Sequence, residues 1–174
     1  MKLYYAPGTI AAAVAIALEE TALPYETALV DFADAAQTKP DYLRINPKGR
    51  VPTLDIGGAI LTETGAILDW LHTQAPKAGL IPADPLQAAR VREAMYYFAS
   101  TMHVNHAHKR RGARWASREE SFADMAAKVP ETMTASCAYV EASLLTGPFV
   151  AGDGPTAADC YLFTVSCWLA GDGV

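Results

Sequence analysis

NPKGRVPTLDIGGAILTET, residues 46–64, is the stretch on which the fold turns. Asn46-Pro47-Lys48-Gly49 is a strong turn signal: Pro pre-sets its own φ, and Asn and Gly tolerate backbone angles that other residues avoid. Val51 to Ile56 reads as a strand, Gly57-Gly58 as a tight hairpin, and Ala59 to Leu61 as the returning strand. The period then changes. From Thr64 to Ala75, Ile67, Leu68 and Leu71 recur at helical spacing. The segment is a hairpin that feeds straight into a helix.

Upstream, Leu3 to Tyr5 is short, aromatic and apolar and predicts a strand. Pro7-Gly8 is a turn, Thr9 an N-cap, and Ile10 to Thr21 a helix of strong formers that Pro24 ends. Tyr25 to Val30 predicts a second strand, 31–38 is polar and loop-like, and Asp41 to Ile45 is a short helix. A strand–helix–strand unit followed by strand–strand–helix makes a mixed four-stranded sheet flanked by helices. Downstream, Pro76 to Pro85 holds three prolines and a glycine and reads as a linker. Beyond it no strand is expected. Leu86 to about Gly112 is one long helix, Arg118 to Leu145 a second that Pro130 kinks or splits, and Thr156 to Ala170 a third. Thr156-Ala157-Ala158-Asp159 fits a capping box with Asp in the reciprocal position. The predicted organisation is a domain over 1–76, a linker over 77–85 and an all-helical domain over 86–174. The third helix is apolar on several sides, and that predicts cover from further helices beyond Val174.

The 174 residues are 51% apolar and carry a net charge of −5, a composition that buries a core and argues against general nucleic-acid binding. Lys109-Arg110-Arg111 with Arg114 sits where a helix C-terminus is expected and complements its dipole. There is no basic start followed by an apolar signal region, and no stretch long enough to span a bilayer. Cys137, Cys160 and Cys167 have no metal-ligand spacing and lie among apolar residues, which predicts buried thiols and the cytoplasm.

Four constellations could carry chemistry. A Pro that opens a strand, as in Arg50-Val51-Pro52-Thr53, cannot donate to the ladder. With a cis Val51–Pro52 bond, the Val51 N–H and C=O could turn outward and pair with an extended peptide; with a trans bond it is an ordinary strand start. Glu63-Thr64 opens a helix, where free N–H groups and the positive dipole end favour a carboxylate; Thr64 equally reads as a simple cap. Tyr5 and Thr9, with Pro7-Gly8, stand at the start of the first helix, where a thiolate would be stabilised; capping and core packing explain them as well. His103 and His106 share a helix face at i, i+3 spacing, with His108 nearby. They could pack, or form the polar wall of a pocket. Without carboxylate or Cys partners they do not predict a metal site.

Taken as a set, these motifs resemble the bacterial glutathione transferases, above all the beta class. Met1 to Gly8 is similar to the opening of those proteins, Asn46 to Leu54 to their cis-proline loop, Leu61 to Thr64 with Ile67 to their Glu-Ser/Thr element, and Gly154 to Phe163 to their helical-domain capping box. The resemblance implies a thioredoxin-like domain that holds glutathione as co-substrate, with no metal, and a helical domain for a small hydrophobic electrophile. It implies glutathione contacts from Arg50, Val51, Pro52, Glu63 and Thr64. Catalytic candidates are Thr9, Tyr5 and His103, with Ile10, His103 and His106 lining the second-substrate pocket. It further implies a homodimer without nucleic-acid or membrane partners. One position departs: Ile10 stands where the beta class has cysteine. Thr9 matches a hydroxyl position of related glutathione-dependent disulfide reductases. The alternatives to conjugation are therefore disulfide reduction or peroxidase chemistry through Thr9, and glutathione binding without catalysis.

Overall fold

In the computed structural model, which describes residues 1–174, the chain divides into two units, Met1–Ala83 and Asp84–Val174. The first holds β1 (Lys2–Tyr5), α1 (Ala11–Thr21), β2 (Glu26–Leu29), the short α2 (Pro40–Leu43), β3 (Thr53–Asp55), β4 (Ile60–Thr62) and α3 (Thr64–Gln74). The strands form one sheet in the order β2-β1-β3-β4. β1 and β2 are parallel, so the chain between them has to cross over, and α1 is that crossover. β3 runs antiparallel to β1 with Leu3 opposite Leu54, and β4 antiparallel to β3 with Leu54 opposite Leu61. Leu3 and Leu54 are fully buried, as are Val14, Ala17 and Leu18 of α1 and Ile67, Leu68 and Leu71 of α3. The alanines of α1 matter here: a side chain of one carbon lets the helix approach its neighbours closely while costing no side-chain entropy.

The expected sheet is present: β1 begins one residue earlier than predicted, β2 is one residue shorter at each end, β3 begins two residues later and ends one earlier, and β4 is shifted by one. The β3–β4 turn closes with Ile56 N–H on Ala59 O, while the Asp55 carboxylate accepts from Gly57 N–H at 2.8 Å. Gly57 has a φ of 82°, a conformation that glycine adopts without penalty.

The second unit is helical: α4 (Pro85–Tyr97), α5 (His103–Arg111), α6 (Glu119–Tyr139), α7 (Ala157–Ser166) and α8 (Leu169–Asp172). Two isolated bridges, Leu145 with Val150 and Phe149 with Gly152, are its extended pairings. The single long helix expected from 86 to 112 is interrupted by a wide π-type turn at Phe98–Met102, which buries Phe98 and Met102 and re-aims α5. Pro130 neither breaks nor splits α6, which runs through it. Pro130 withholds the N–H that would meet the Ala126 carbonyl, and in the next turn the Thr132 hydroxyl bonds back to the carbonyls of Lys128 and Val129, both at 3.2 Å. Val91, Ala94 and Met95 of α4, Val129 and Met133 of α6, and Tyr161 and Val165 of α7 are buried, with the Phe98 and Tyr161 rings 5.8 Å apart.

The expectation of three buried thiols is corrected. Cys160 is buried and Cys137 half-buried, its thiol pushed up by desolvation, whereas Cys167 is exposed. The helical period explains it. Cys167 lies four residues after the exposed Phe163, on the face of α7 opposite Tyr161 and Val165.

The capping box at α7 forms in full. Asp159 Oδ2 accepts from the Thr156 N–H at 2.8 Å and the Thr156 hydroxyl at 2.7 Å, and Oδ1 accepts from the Val150 N–H at 2.8 Å. One carboxylate thus caps the helix and ties down the preceding loop. Asp159→Ala removes all three hydrogen bonds, and a loss of about 2–3 kcal/mol in urea-unfolding free energy is expected. Asp159→Glu, with its longer stem, should recover little of it.

Candidate functional site

Half of the predicted site residues lie on the loop between α2 and β3 and at the turn from β4 into α3. The Val51–Pro52 peptide is cis. The Val51 side chain is buried, and no hydrogen bond within the chain engages its N–H or its C=O. The β1–β3 ladder begins only at Thr53. Val51 is therefore an unpaired strand position with both main-chain groups available to an extended peptide.

What holds that loop was not recognised in the sequence. The Arg50 carbonyl accepts from Tyr42 Oη at 2.7 Å and Asn46 Nδ2 at 2.8 Å, with the Thr53 hydroxyl at 3.4 Å. Asn46 Nδ2 also reaches Thr53 Oγ1 at 2.9 Å, and Asn46 Oδ1 accepts from the Lys48 N–H at 3.1 Å. Asn46 is 1% exposed and Tyr42 is buried, its hydroxyl pushed up by desolvation and its ring edge-on to Tyr4. Asn46 had been read only as a turn residue. The signal that could have found it is chemical: its amide carries donors and an acceptor, so one buried side chain can bond two neighbours of the Val51 turn and its own loop at once. The Arg50 side chain itself is exposed.

Glu63 and Thr64 come together at the start of α3. The first intrahelical bond runs from the Ile67 N–H to Glu63 O, so the N–H groups of Thr64, Gly65 and Ala66 have no partner inside the helix. Glu63 has φ 69° and ψ 117°, unusual for a residue with a Cβ, at a cost of about 1–3 kcal/mol. Its carboxylate meets Lys48 Nζ at 2.5 Å, and the same ammonium donates to Thr62 Oγ1 at 2.6 Å. Both members of that ion pair are exposed, so it contributes at most about 1 kcal/mol. Its effect is to place one positive and one negative group beside a row of free amides.

At the start of α1 the Thr9 hydroxyl donates to Ala6 O at 2.6 Å and accepts from the Ala11 N–H at 3.4 Å. The expected N-cap at Thr9 is corrected by one residue: Ile10 occupies that position and has no side-chain cap, while Thr9 closes the turn before it with its proton engaged by a backbone carbonyl. Tyr5 packs half-buried against a cluster of Ala6, Ala11, Val30, Tyr42 and Val51. Ile10 is buried. In the second unit His103 and His106 both contact Trp168, at ring separations of 5.1 and 4.3 Å. His108 instead meets Trp115 edge-on. No group of three His, Cys, Asp or Glu side chains is arranged to hold a metal ion, and no helix is long and apolar enough to cross a membrane.

Comparison with known proteins bears on the same residues. Residues 1–73 match the glutathione S-transferase N-terminal domain family. The chain is 31% identical to glutathione S-transferase GST-4.5 of Xanthomonas campestris pv. campestris, over all of this chain and 85% of that protein. It is 34% identical to a maleylpyruvate isomerase of a Ralstonia species, over 84% of this chain and 71% of that one. A crystal structure of a glutathione transferase homologue from Sulfitobacter, with bound glutathione, is similar at 62% identity with a TM-score of 0.98. It covers 99% of this chain and 84% of that one.

Asn46→Ala deletes the acceptor of the Lys48 amide and leaves the Arg50 carbonyl and Thr53 hydroxyl each one donor short. A loss of about 2–3 kcal/mol in chemical-denaturation free energy is expected, with the first unit's amides the first to lose hydrogen-exchange protection.

Proposed function

The chain belongs to the glutathione S-transferase family, and from that premise we propose that it joins the thiol of glutathione to small, hydrophobic electrophiles, acting as a homodimer in the cytoplasm. The observation that carries this reading is the pairing of two unfilled backbone sites in one unit: the Val51 N–H and C=O, and the amides that open α3. In the proposed complex, Val51 adds the cysteinyl segment as an extra strand, next to Pro52. The Thr64 and Gly65 amides with the Thr64 hydroxyl take the γ-glutamyl carboxylate, and Glu63 takes its ammonium. Lys48, paired with Glu63 in the ligand-free protein, and the exposed Arg50 supply positive charge at the rim. Within the helical unit, His103 and His106 are the polar side chains offered to the electrophile.

The chemistry needed is modest. An ordinary cysteine thiol has a pKa near 8.5, so only a few per cent is thiolate at neutral pH, and the protein has to favour the anion and hold the electrophile beside it. The thiolate attacks the electrophilic carbon, a C–S bond forms, and the leaving group takes the electron pair. Ile10 offers no nucleophile, so the stabilising groups are the α1 N-terminus and the Thr9 hydroxyl, with Tyr5 beside them. Thr9 can donate to sulfur only by releasing Ala6 O. A neutral hydrogen bond is worth about 0.5–1.5 kcal/mol and one to an anion about 1.5–3 kcal/mol, so the exchange favours the thiolate by roughly 1 kcal/mol.

A second reading is favoured by the likeness to the Ralstonia isomerase: the same thiolate adds to a cis double bond, the carbon–carbon bond rotates, and the thiol leaves unchanged. Product analysis separates the two, since conjugation consumes glutathione and isomerisation does not.

With glutathione bound, Thr9→Ala should raise the thiol pKa by about one unit, read by thiolate absorbance against pH, while Thr9→Ser stays within a few tenths. An unchanged pKa in Thr9→Ala removes Thr9 from the mechanism. Calorimetry that detects no glutathione binding overturns the whole reading.

A further inference from the structure

The face of α5 that carries His103, His106 and Lys109, three residues apart, meets the end of the chain's last two helices at a buried carboxylate. The Asp172 side chain is 1% exposed. Its Oδ2 lies 2.7 Å from His106 Nδ1, and its Oδ1, which has no hydrogen bond, lies 3.6 Å from Lys109 Nζ, within ion-pair range but beyond hydrogen-bond reach. The His106 ring stacks on Trp168 at 4.3 Å and 23°, and the His103 ring meets the same indole at 5.1 Å and 54°. His103 Nδ1 is 3.5 Å from Tyr161 Oη. His106 and Lys109 are the groups paired with the carboxylate, His103 and Tyr161 join the cluster through Trp168 and each other, and α6 also packs against α8.

A carboxylate this deep costs several kcal/mol to desolvate unless it is paired. Lys109 offsets the charge, and His106 supplies the hydrogen bond. An ionised carboxylate only accepts, so the proton between the two sits on Nδ1, and Nε2 is the atom left to gain or lose a proton. Trp168 fixes the plane of the imidazole. A half-turn about the Cβ–Cγ bond would return the ring to the same plane and keep the stack but carry Nδ1 away from Asp172, so the hydrogen bond selects one of the two flips. His106 is still 30% exposed, and no hydrogen bond within the chain engages its Nε2. A carboxylate-held imidazole with one open nitrogen is the arrangement that positions a hydrogen-bond acceptor or base.

We propose that Asp172 is a positioning residue for His106, and that His106 Nε2 accepts a hydrogen bond from a hydroxyl or N–H group on the second substrate, which makes donor-bearing electrophiles the preferred class. The substrate half of this inference rests on the transferase reading above; the Asp172–His106 half does not. The two halves have separate tests. Multiple-bond nitrogen–proton NMR on the ligand-free chain, at a pH where His106 is neutral, should show its proton on Nδ1. Asp172→Asn, which can donate to Nδ1 as well as accept from it, should redistribute the tautomers. A wild-type His106 with its proton on Nε2 overturns the pairing, and that measurement holds even where Asp172→Asn fails to fold. His106→Phe keeps a ring against Trp168 and removes Nε2. It should lower kcat/KM about tenfold for a hydroxylated electrophile and less than about twofold for the matched electrophile without the hydroxyl, with the KM for glutathione unchanged. Equal losses on both electrophiles overturn the substrate half. A wild-type protein that binds no glutathione in calorimetry fails at the transferase reading, while the tautomer result decides the pairing without any ligand.

Discussion

The carbonyl of Arg50 is where the first unit is pinned. Three side-chain donors, from Tyr42, Asn46 and Thr53, converge on one backbone oxygen just before the cis peptide. Two of the three lie elsewhere in the sequence, so the loop is held by a network that exists only once α2 has packed under it. Buried donors and acceptors of this kind are costly when unmet and rigid when satisfied. Here they are satisfied, and the result is a stiff turn that leaves the next residue, Val51, with its main chain unpaired. A strand edge held open is what a peptide ligand needs, and a loop free to collapse would close it.

The helical unit uses carboxylates in a similar way. Asp159 gathers a helix cap and a loop amide; Asp172 gathers an imidazole and an ammonium. Each joins segments that hydrophobic packing alone would hold less specifically, since apolar contacts are non-directional. The difference between them is exposure of the partner. The donors to Asp159 are backbone and a threonine hydroxyl, all structural. One partner of Asp172 is a histidine that keeps an open nitrogen, and there the same device can serve chemistry.

Much of the architecture was legible along the chain. The turn at 46–49, the glycine hairpin and the change of period after Thr64 are local signals with local causes, and β3, β4 and α3 follow them. The capping box at Thr156 is four consecutive residues whose geometry is intrinsic to a helix start. The failures are also physical. The π-type turn at Phe98–Met102 has no Pro or Gly to announce it. Pro130 removes one backbone hydrogen bond, and α6 runs through it all the same. Cys167 was read as buried from its apolar neighbours, when the helical period turns it outward with Phe163.

The sequence by itself determined which elements form, their order, and the family to which the residues around Val51 and Glu63 belong, because these depend on neighbours within a few positions. Only the tertiary structure decided which side chains do the holding. Asn46 and Tyr42 meet on a carbonyl several residues away, and His106 finds a carboxylate 66 positions further along. Partners so far apart leave no periodic trace in a chain; their pairing follows from packing, which fixes distances that sequence spacing does not encode.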